Sequence, residues 1–368
     1  MSQFKASPEY PLWLRGTVIL LGLCLLFIIL SYGRFILMPL ALSALLAMLL
    51  EPVSRWLEKL KIGRAFAIVL SMISVFIILA GVFSLLSLQF VQFADRLPEA
   101  GDRLQQVSQD LQEFFQSTFG IAPESQINFV EQGIQKLIDR SGQYASTALG
   151  ATTSVFTTLG LLPIFIFFMM YYKEMYQTFL QKAWKDESNA SVDSVIRGIQ
   201  SVTKNYLVGM LIVIVILGLL NFIGLWIIGL ENALFFATFA AAFAIIPYIG
   251  IVIGSLPAIL FALLFSGSLW MPVAVIIVFA AVQFLEGNFI TPNIIGSQVS
   301  INPFMALIAL LVGAQVWGIV GMILFVPFVG ILKCIFDEVE GLQPYGYLLG
   351  NSVEYPKGGD SEDVADES

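Results

Sequence analysis

The sequence predicts an all-α polytopic membrane protein: about eight transmembrane helices, with broken or re-entrant segments and an extracytoplasmic helical hairpin. Three observations predict it. The 368 residues are 58% hydrophobic and 12% charged, where charged residues make up about 25% of an ordinary soluble domain. The mean hydropathy of the whole chain is +0.87, and its apolar residues gather into runs long enough to cross a hydrocarbon layer about 30 Å thick. Between two such runs, residues 95–148 change to a polar pattern with apolar positions every three or four residues, the mark of water-exposed amphipathic helices.

Residues 1–94 form the N-terminal spans, three helices. Lys5 and Arg15 precede Gly16–Ser31 and Phe35–Leu50, two apolar runs joined by Tyr32-Gly33-Arg34. The short connection predicts a tight helical hairpin. The first run has no small-residue cleavage site and is followed at once by another apolar run, so it is expected to be retained as a span. Residues 51–64 carry Arg55, Lys59, Lys61 and Arg64, with Val53, Trp56, Leu57 and Leu60 on one helical face. That combination fits a short helix lying at the membrane interface; a basic connector is the plainer reading. Ala65–Ala94 is an apolar run longer than a span needs.

In residues 95–148 one series runs Leu97, Ala100, Leu104, Val107, Leu111, Phe114, Thr118, and a second runs Ile127, Val130, Ile134, Leu137, Ser141, Tyr144, Ala148, with Thr118 and Ser141 as weak members. The turn Gly120-Ile121-Ala122-Pro123 between them predicts two antiparallel helices. Residues 149–172 are a fourth span with a kink at Pro163. Residues 173–204 are an amphipathic connector in which Ser191 is expected to cap a helix with Val192, Val195, Ile196, Ile199 and Val202 on one stripe. Residues 205–336 are the C-terminal core, and residues 337–368 are expected to be an acidic, disordered tail.

Orientation follows from Lys and Arg. Segment 51–64 carries four and segment 173–204 five, so both are expected on the cytoplasmic side, with 95–148 outside and both termini inside. The net charge of −8 misleads, because the last fifteen residues hold six acids against Lys357. The rest of the chain is at about −3 and offers no nucleic-acid surface.

Composition also limits chemistry. The chain has no histidine, which removes His-ligated zinc or haem and every Ser–His or Cys–His nucleophile pair. It has no GxxxxGK[ST] loop, so uphill transport would draw on an ion gradient rather than on P-loop ATP hydrolysis. No cofactor and no enzyme activity are expected. Cys24 and Cys334 both sit in apolar segments and read as packing residues.

The core is interrupted twice. Ala244–Ala258 reads AIIPYIGIVIGSLPA, and Gln283–Asn293 reads QFLEGNFITPN. Pro247 removes a backbone donor, and Gly250 and Gly254 permit close backbone approach. Within hydrocarbon such breaks persist only where protein or a water-lined cavity satisfies the freed groups. Paired interruptions of this kind point to a transporter's binding site. Whether 233–265 is one broken span or a re-entrant pair is open at this point. Pro247, Gly250, Gly254, Pro257, Pro292 and Pro327 are the expected hinge or helix-break residues. Ile246–Ile251 resembles Val326–Ile331, eighty positions on, which would fit an internal repeat.

Glu286, with Gln283, Asn288, Thr291 and Asn293, is the expected transport and coupling set. A carboxylate in an apolar span marks an ion or proton pathway, while the alternative is that it caps the break by accepting backbone N–H groups. The amides and hydroxyl either line a path for a polar solute or bond between helices. Asn221, in mid-span, reads as a helix–helix contact, and Trp270 and Trp317 as interfacial anchors or packing residues.

These residues carry a resemblance. The IPYIG of Ile246–Gly250 with Pro257, the Q-x-x-E-G-N-x-x-T-P-N-I-I-G of Gln283–Gly296, Asn302-Pro303 and the GIVGMILFVPFVGILK of Gly318–Lys333 resemble the AI-2E (autoinducer-2 exporter) family of bacterial permeases. The resemblance implies an eight-span inner-membrane permease assembled as a homo-oligomer, with a pentamer suggested. Some family members are linked to autoinducer-2 export and others to sodium/proton antiport. Asn302 stands where many relatives have His, and Gln298 where a Lys is common. The expected function is therefore an inner-membrane permease or exporter of a small polar, autoinducer-2-like solute, working by alternating access in the lipid bilayer on an H+ or Na+ gradient. The alternatives are a monovalent cation (Na+ or Li+)/proton antiporter and a membrane scaffold that transports nothing.

Overall fold

The computed structural model of the chain describes residues 11–119, 132, 136, 160–183, 192–246, 249–296, 301–339 and 341–350. Its elements are helices: α1 (Leu12–Tyr32), α2 (Arg34–Lys59), α3 (Arg64–Phe119), α4 (Gly160–Tyr171), α5 (Lys173–Ala183), α6 (Val192–Ile227), α7 (Ala233–Phe243), α8 (Ile249–Phe265), α9 (Trp270–Leu285), α10 (Pro303–Glu338) and α11 (Gln343–Leu349). One isolated β-bridge, Ile301 with Gly350, is the only extended pairing among the described residues. Five helices are long and apolar enough to cross a membrane, and α1, α4, α7 and α8 are shorter apolar ones. The protein is an all-α polytopic membrane protein.

The N-terminal helices depart from the expected hairpin. Hydrogen bonding stays helical through Gly33, whose N–H reaches Ile29 O and whose carbonyl receives Leu37 N–H. The chain bends there without folding back. Thr17 to Ile29 are exposed around the whole circumference of α1, and its packing is at its end, where Leu30 joins Leu37, Met38 and Leu45. Segment 51–64 also differs: residues 51–59 continue α2 without a break, and the turn falls at Leu60–Gly63. Leu57 is buried while Val53, Trp56 and Leu60 stay exposed.

α2, α3 and α4 form one bundle around Ala47, Leu50, Ile68, Met72, Ile166 and Met170. Across the top of that core the Arg64 guanidinium pairs with Glu174 at 2.9 Å, bonds the Met170 carbonyl at 3.2 Å and lies over the Tyr171 ring. α3 then runs on to Phe119 as a single helix of 56 residues, roughly 84 Å at 1.5 Å per residue. It is therefore both the third span and the first arm of the 95–148 insertion. The second arm falls outside the described residues, except for Gln132 and Lys136; Ser191 lies outside them too.

α6 is the shared wall of the C-terminal half. It is continuous from Val192 to Ile227, so the amphipathic stripe of the connector and the following span belong to one helix. Towards its C-terminus it packs against α7 and α9, with Leu225 in a core of Phe235, Phe236, Phe261, Val275 and Phe279. Towards its N-terminus it packs against α10, with Tyr206 beside Ile301, Met305, Val326 and Val329.

Residues from 337 on were expected to be disordered. Instead α11 folds back on α10. Asn302 N–H donates to Leu349 O at 2.9 Å, the Asn302 side chain donates to Leu348 O at 2.9 Å, and Phe336 meets the Tyr345 ring. Gly346 is the buried residue of α11, lying against Asp337 where a side chain would not fit, while Tyr345, Tyr347 and Leu348 stay exposed; backbone contact and hydrogen bonds hold the helix there. The acidic stretch after Gly350 is outside the described residues.

Candidate translocation site

The first interruption is a re-entrant hairpin. α7 has 11 residues, about 16 Å, and is too short to cross the hydrocarbon. Its last turn tightens, with Ala244 N–H shared between Ala240 O and Ala241 O and Ile246 N–H reaching Phe243 O. α8 then returns alongside. A Cβ on Gly250 would collide with the Phe243 carbonyl, and one on Gly254 would lie 2.7 Å from Ala240 Cα. In a straight helix residues 240 and 254 are about 21 Å apart, so the two segments are antiparallel arms. Pro247 and Tyr248 lie outside the described residues. Pro257 sits within α8 and does not stop it.

A second re-entrant hairpin was not expected. Within α10, Trp317 (φ −129°, ψ 16°) and Gly318 (φ 61°, ψ −138°) leave the helical region. Gly313 and Gly321 then stand so close that a Cβ on either would meet the other's backbone. Residues 303–316 and 319–338 are therefore two arms, and the apparent 36-residue span folds back on itself. Asn302 caps the first arm, its side chain accepting from Met305 N–H at 2.8 Å. Pro327 was expected at a break, but it is buried inside the second arm, past the reversal. The two hairpins thus turn at Ala244–Ile246 and at Trp317–Gly318, whereas the eighty-residue sequence match pairs the first tip with the middle of a helix. The duplication of form and the duplication of sequence do not coincide.

The second interruption widens α9 into two π segments, Glu286–Ile290 and Pro292–Gly296. Thr291 N–H bonds Glu286 O, five residues back. Pro292 has no N–H to offer Asn288 O, and the ladder loosens around it. Two side chains bond back to carbonyls one turn earlier: Asn288 Nδ2 donates to Phe284 O at 2.9 Å and Asn293 Nδ2 to Phe289 O at 2.7 Å. π segments recur at functional sites because the extra residue re-aims side chains.

Glu286 sits at the start of the widened stretch, half-buried. Its carboxylate accepts from Gln283 Nε2 on one oxygen and from Thr291 Oγ1, at 2.8 Å, on the other. Among the described residues it makes no ion pair, so a negative charge here is balanced only by neutral donors. The five expected residues are therefore not one cluster. Gln283, Glu286 and Thr291 are joined, while Asn288 and Asn293 are tied to their own backbone with their amide oxygens outward. Below the trio, Val213, Leu217 and Val282 pack with Ile290, Ile294 and Ala244. An added Cβ on Gly209 would be 3.3 Å from Ile294 O, so the π segments lie directly on α6, next to the tip of the first hairpin.

The second tip faces the N-terminal helices. Trp317 Nε1 donates to Leu30 O at 2.9 Å, and its ring meets Phe325 edge-on at 5.6 Å. Val316, Trp317 and Leu324 are buried against Leu45 of α2. Trp317 was expected as an interfacial anchor or packing residue, and it packs; its place at a chain reversal was not expected, and the signal for that was Gly313, Gly318 and Gly321 around an indole inside an otherwise unbroken apolar run. Asn221, buried in α6, has no hydrogen-bond partner for Oδ1 among the described residues, nor has Thr203 for Oγ1.

A family model described as AI-2E family transporter matches residues 17–341, from α1 to the turn before α11. The chain belongs to the AI-2E transporter family. Among similar proteins, YrrI of Bacillus subtilis, named as a transport protein, is 27% identical over 322 residues, covering 82% of this chain and 85% of YrrI. YueF of the same organism, likewise named, is 28% identical over 315 residues, covering 83% and 84%. The AI-2 transport protein TqsA of Escherichia coli is 24% identical over 352 residues, covering 92% and 97%. As an AI-2E family member the protein is a membrane transporter. Both re-entrant hairpins and both π segments fall inside the matched region.

Proposed function

We propose that this AI-2E family member is an inner-membrane exporter of a small polar solute resembling autoinducer-2, driven by an H+ or Na+ gradient. Residues 205–336 shift against a scaffold built from residues 1–94, opening the site to each side in turn. The observation that carries this reading is Glu286: a carboxylate in an apolar span, held by two neutral donors, without a basic partner among the described residues and beside a re-entrant tip. Such a group takes up a proton or a cation when the site opens and releases it when the site turns. The outward amide oxygens of Asn288 and Asn293, with Gln283, supply the paired donors and acceptors a polyol needs. Pro247, Gly250, Gly254 and Pro257 shape the first hairpin, Pro292 the widened helix, and Pro327 steadies the second hairpin's returning arm. The chain assembles as a homo-oligomer, and both termini face the cytoplasm by the Lys and Arg distribution.

The test is solute efflux from proteoliposomes with an imposed proton gradient and an internal pH dye, comparing wild type with Glu286→Gln. Autoinducer-2 is tried first and sodium alone second. The expected outcome is joint movement of solute and protons by wild type, and a loss of about tenfold or more in Glu286→Gln, in line with removal of a charged acceptor of two hydrogen bonds. Proton movement driven by sodium alone identifies an antiporter instead. An intact, folded oligomer inert toward every solute in both forms points to a scaffold.

A further inference from the structure

Two neighbouring cavities open where α2 ends and α6 begins, and they differ in charge. The first, of about 600 Å³, has Glu51, Glu58 and Glu174 on its wall against Arg55, Arg64 and Lys173. Those charges answer one another: Arg64 with Glu174, and Glu51 with both Arg55 and Lys173. It holds no excess that would draw an ion.

The second, of about 510 Å³, is lined by Arg55, Lys59, Arg197 and Lys204 with Glu51 as its one carboxylate. That carboxylate is already engaged by Arg55, at 2.5 Å, and by Lys173. Lys59, Arg197 and Lys204 make no ion pair among the described residues, so three cations face one open cleft with nothing to balance them. Gln200, Ser201 and Asn205 add neutral donors along its α6 wall. Trp56 belongs to the same lining and is 60% exposed, flanked by the exposed side chains of Val53 and Leu60. Exposed tryptophan beside basic side chains at the end of a span marks the headgroup level of a bilayer.

We infer that this cleft binds the phosphate of an anionic phospholipid, its headgroup held by Lys59, Arg197 and Lys204 and its glycerol and upper chains against Trp56 and Val53. Juxtamembrane basic clusters hold anionic lipids by charge and hydrogen bonding combined. A lipid fits better than a soluble phosphate because exposed Trp56, with Val53 beside it, sets apolar surface next to the three cations, which acyl chains would cover and a free ion would not. The site joins α2 to the first helix of the C-terminal half, so one headgroup bridges the two parts of the molecule. It does not rest on the transport reading.

The experiment uses the full chain in phosphatidylcholine vesicles containing an equal fraction of either brominated phosphatidylglycerol or brominated phosphatidylcholine. Quenching of Trp56 is read as the difference between wild type and Trp56→Phe. The expected result is stronger quenching by the phosphatidylglycerol, weakened by added salt. Lys59→Gln/Arg197→Gln/Lys204→Gln should lower that preference several-fold and leave quenching by brominated phosphatidylcholine unchanged. The single variants Lys59→Gln and Lys204→Gln should each lower it part of the way, and they carry the test if the triple variant does not reconstitute. Equal quenching by the two lipids in wild type, or a preference that survives in all the variants, overturns the proposal. So does loss of the preference when inorganic phosphate replaces chloride at constant ionic strength, which would identify a soluble phosphate as the ligand.

Discussion

At the scale of single residues, the carboxylate of Glu286 is the group whose surroundings decide most. Its two oxygens are held by unlike donors, the Gln283 amide and the Thr291 hydroxyl. The Thr291 bond exists because the π turn places residue 291 beside residue 286, a separation of five that an α-helix does not bring into register. Thr291→Val keeps the shape of the side chain and removes the donor. The expected effect is a loss of about 1–3 kcal/mol, the range from an ordinary hydrogen bond to one made to a charged group, read as a lower unfolding temperature of the purified protein; an unchanged unfolding temperature would mean that this bond does not hold the widened turn. The five polar residues were legible in the sequence because polar groups in an apolar run stand out. Their division into a joined trio and two back-bonded asparagines was not, since it depends on the π turn that brings Thr291 beside Glu286.

At the scale of elements, the two hairpins follow from backbone rules. The arms of each approach so closely that glycine is required at the contact: Gly250 and Gly254 in the first, Gly313 and Gly321 in the second. Gly318 adds a different requirement, for at φ 61° and ψ −138° a side chain is strained by about 1–3 kcal/mol even though space around it is open. Gly318→Ala is therefore expected to destabilise the fold by that amount, with no compensating contact, in a detergent-based unfolding series. A smaller cost, within a few tenths of a kilocalorie per mole of Ala substitutions at Gly16 or Gly22 on exposed α1, would mean that the reversal does not occur at Trp317–Gly318. The first hairpin was half-legible, because Pro247 and the glycines flag a break without saying whether the chain continues or returns. The second was hidden: a helix of 36 apolar residues and a hairpin of two shorter ones have almost the same hydropathy. The match between Ile246–Ile251 and Val326–Ile331 then drew attention to Pro327, which lies buried inside the second arm; a membrane helix tolerates proline where neighbouring groups satisfy the carbonyl it frees.

At the scale of the whole molecule, α6 holds the C-terminal half together, packing on the second hairpin around Tyr206, on the π segments from Gly209 to Leu217 and on the first hairpin from Gly218 to Leu225. The second hairpin's tip is the point where this half grips the N-terminal helices, through the Trp317 indole on Leu30 O and the burial of Val316 and Leu324 against Leu45. Trp317→Phe keeps an aromatic ring and removes the donor. Its expected cost is about 1 kcal/mol for the hydrogen bond, seen as a lower unfolding temperature. A rate of solute efflux that changes by more than the loss of folded protein explains would place this contact on the path of the motion proposed between the two halves.

The sequence by itself determined the environment and the class: long apolar runs with few charges can be satisfied only by helices in a bilayer, and the quoted motifs led to the right family. It also marked Glu286 and its polar neighbours, because burying such groups is costly enough that they are rarely placed without use. Only the tertiary structure decided where the chain turns back. A reversal is set by which backbones come into contact, as Gly250 with Phe243 and Gly313 with Gly321 do, and contact between segments leaves no trace in the hydropathy of either one. The same holds for α1 and α2, where a three-residue connection read as a hairpin proved to be a bend, because Gly33 still takes part in helical hydrogen bonds on both sides.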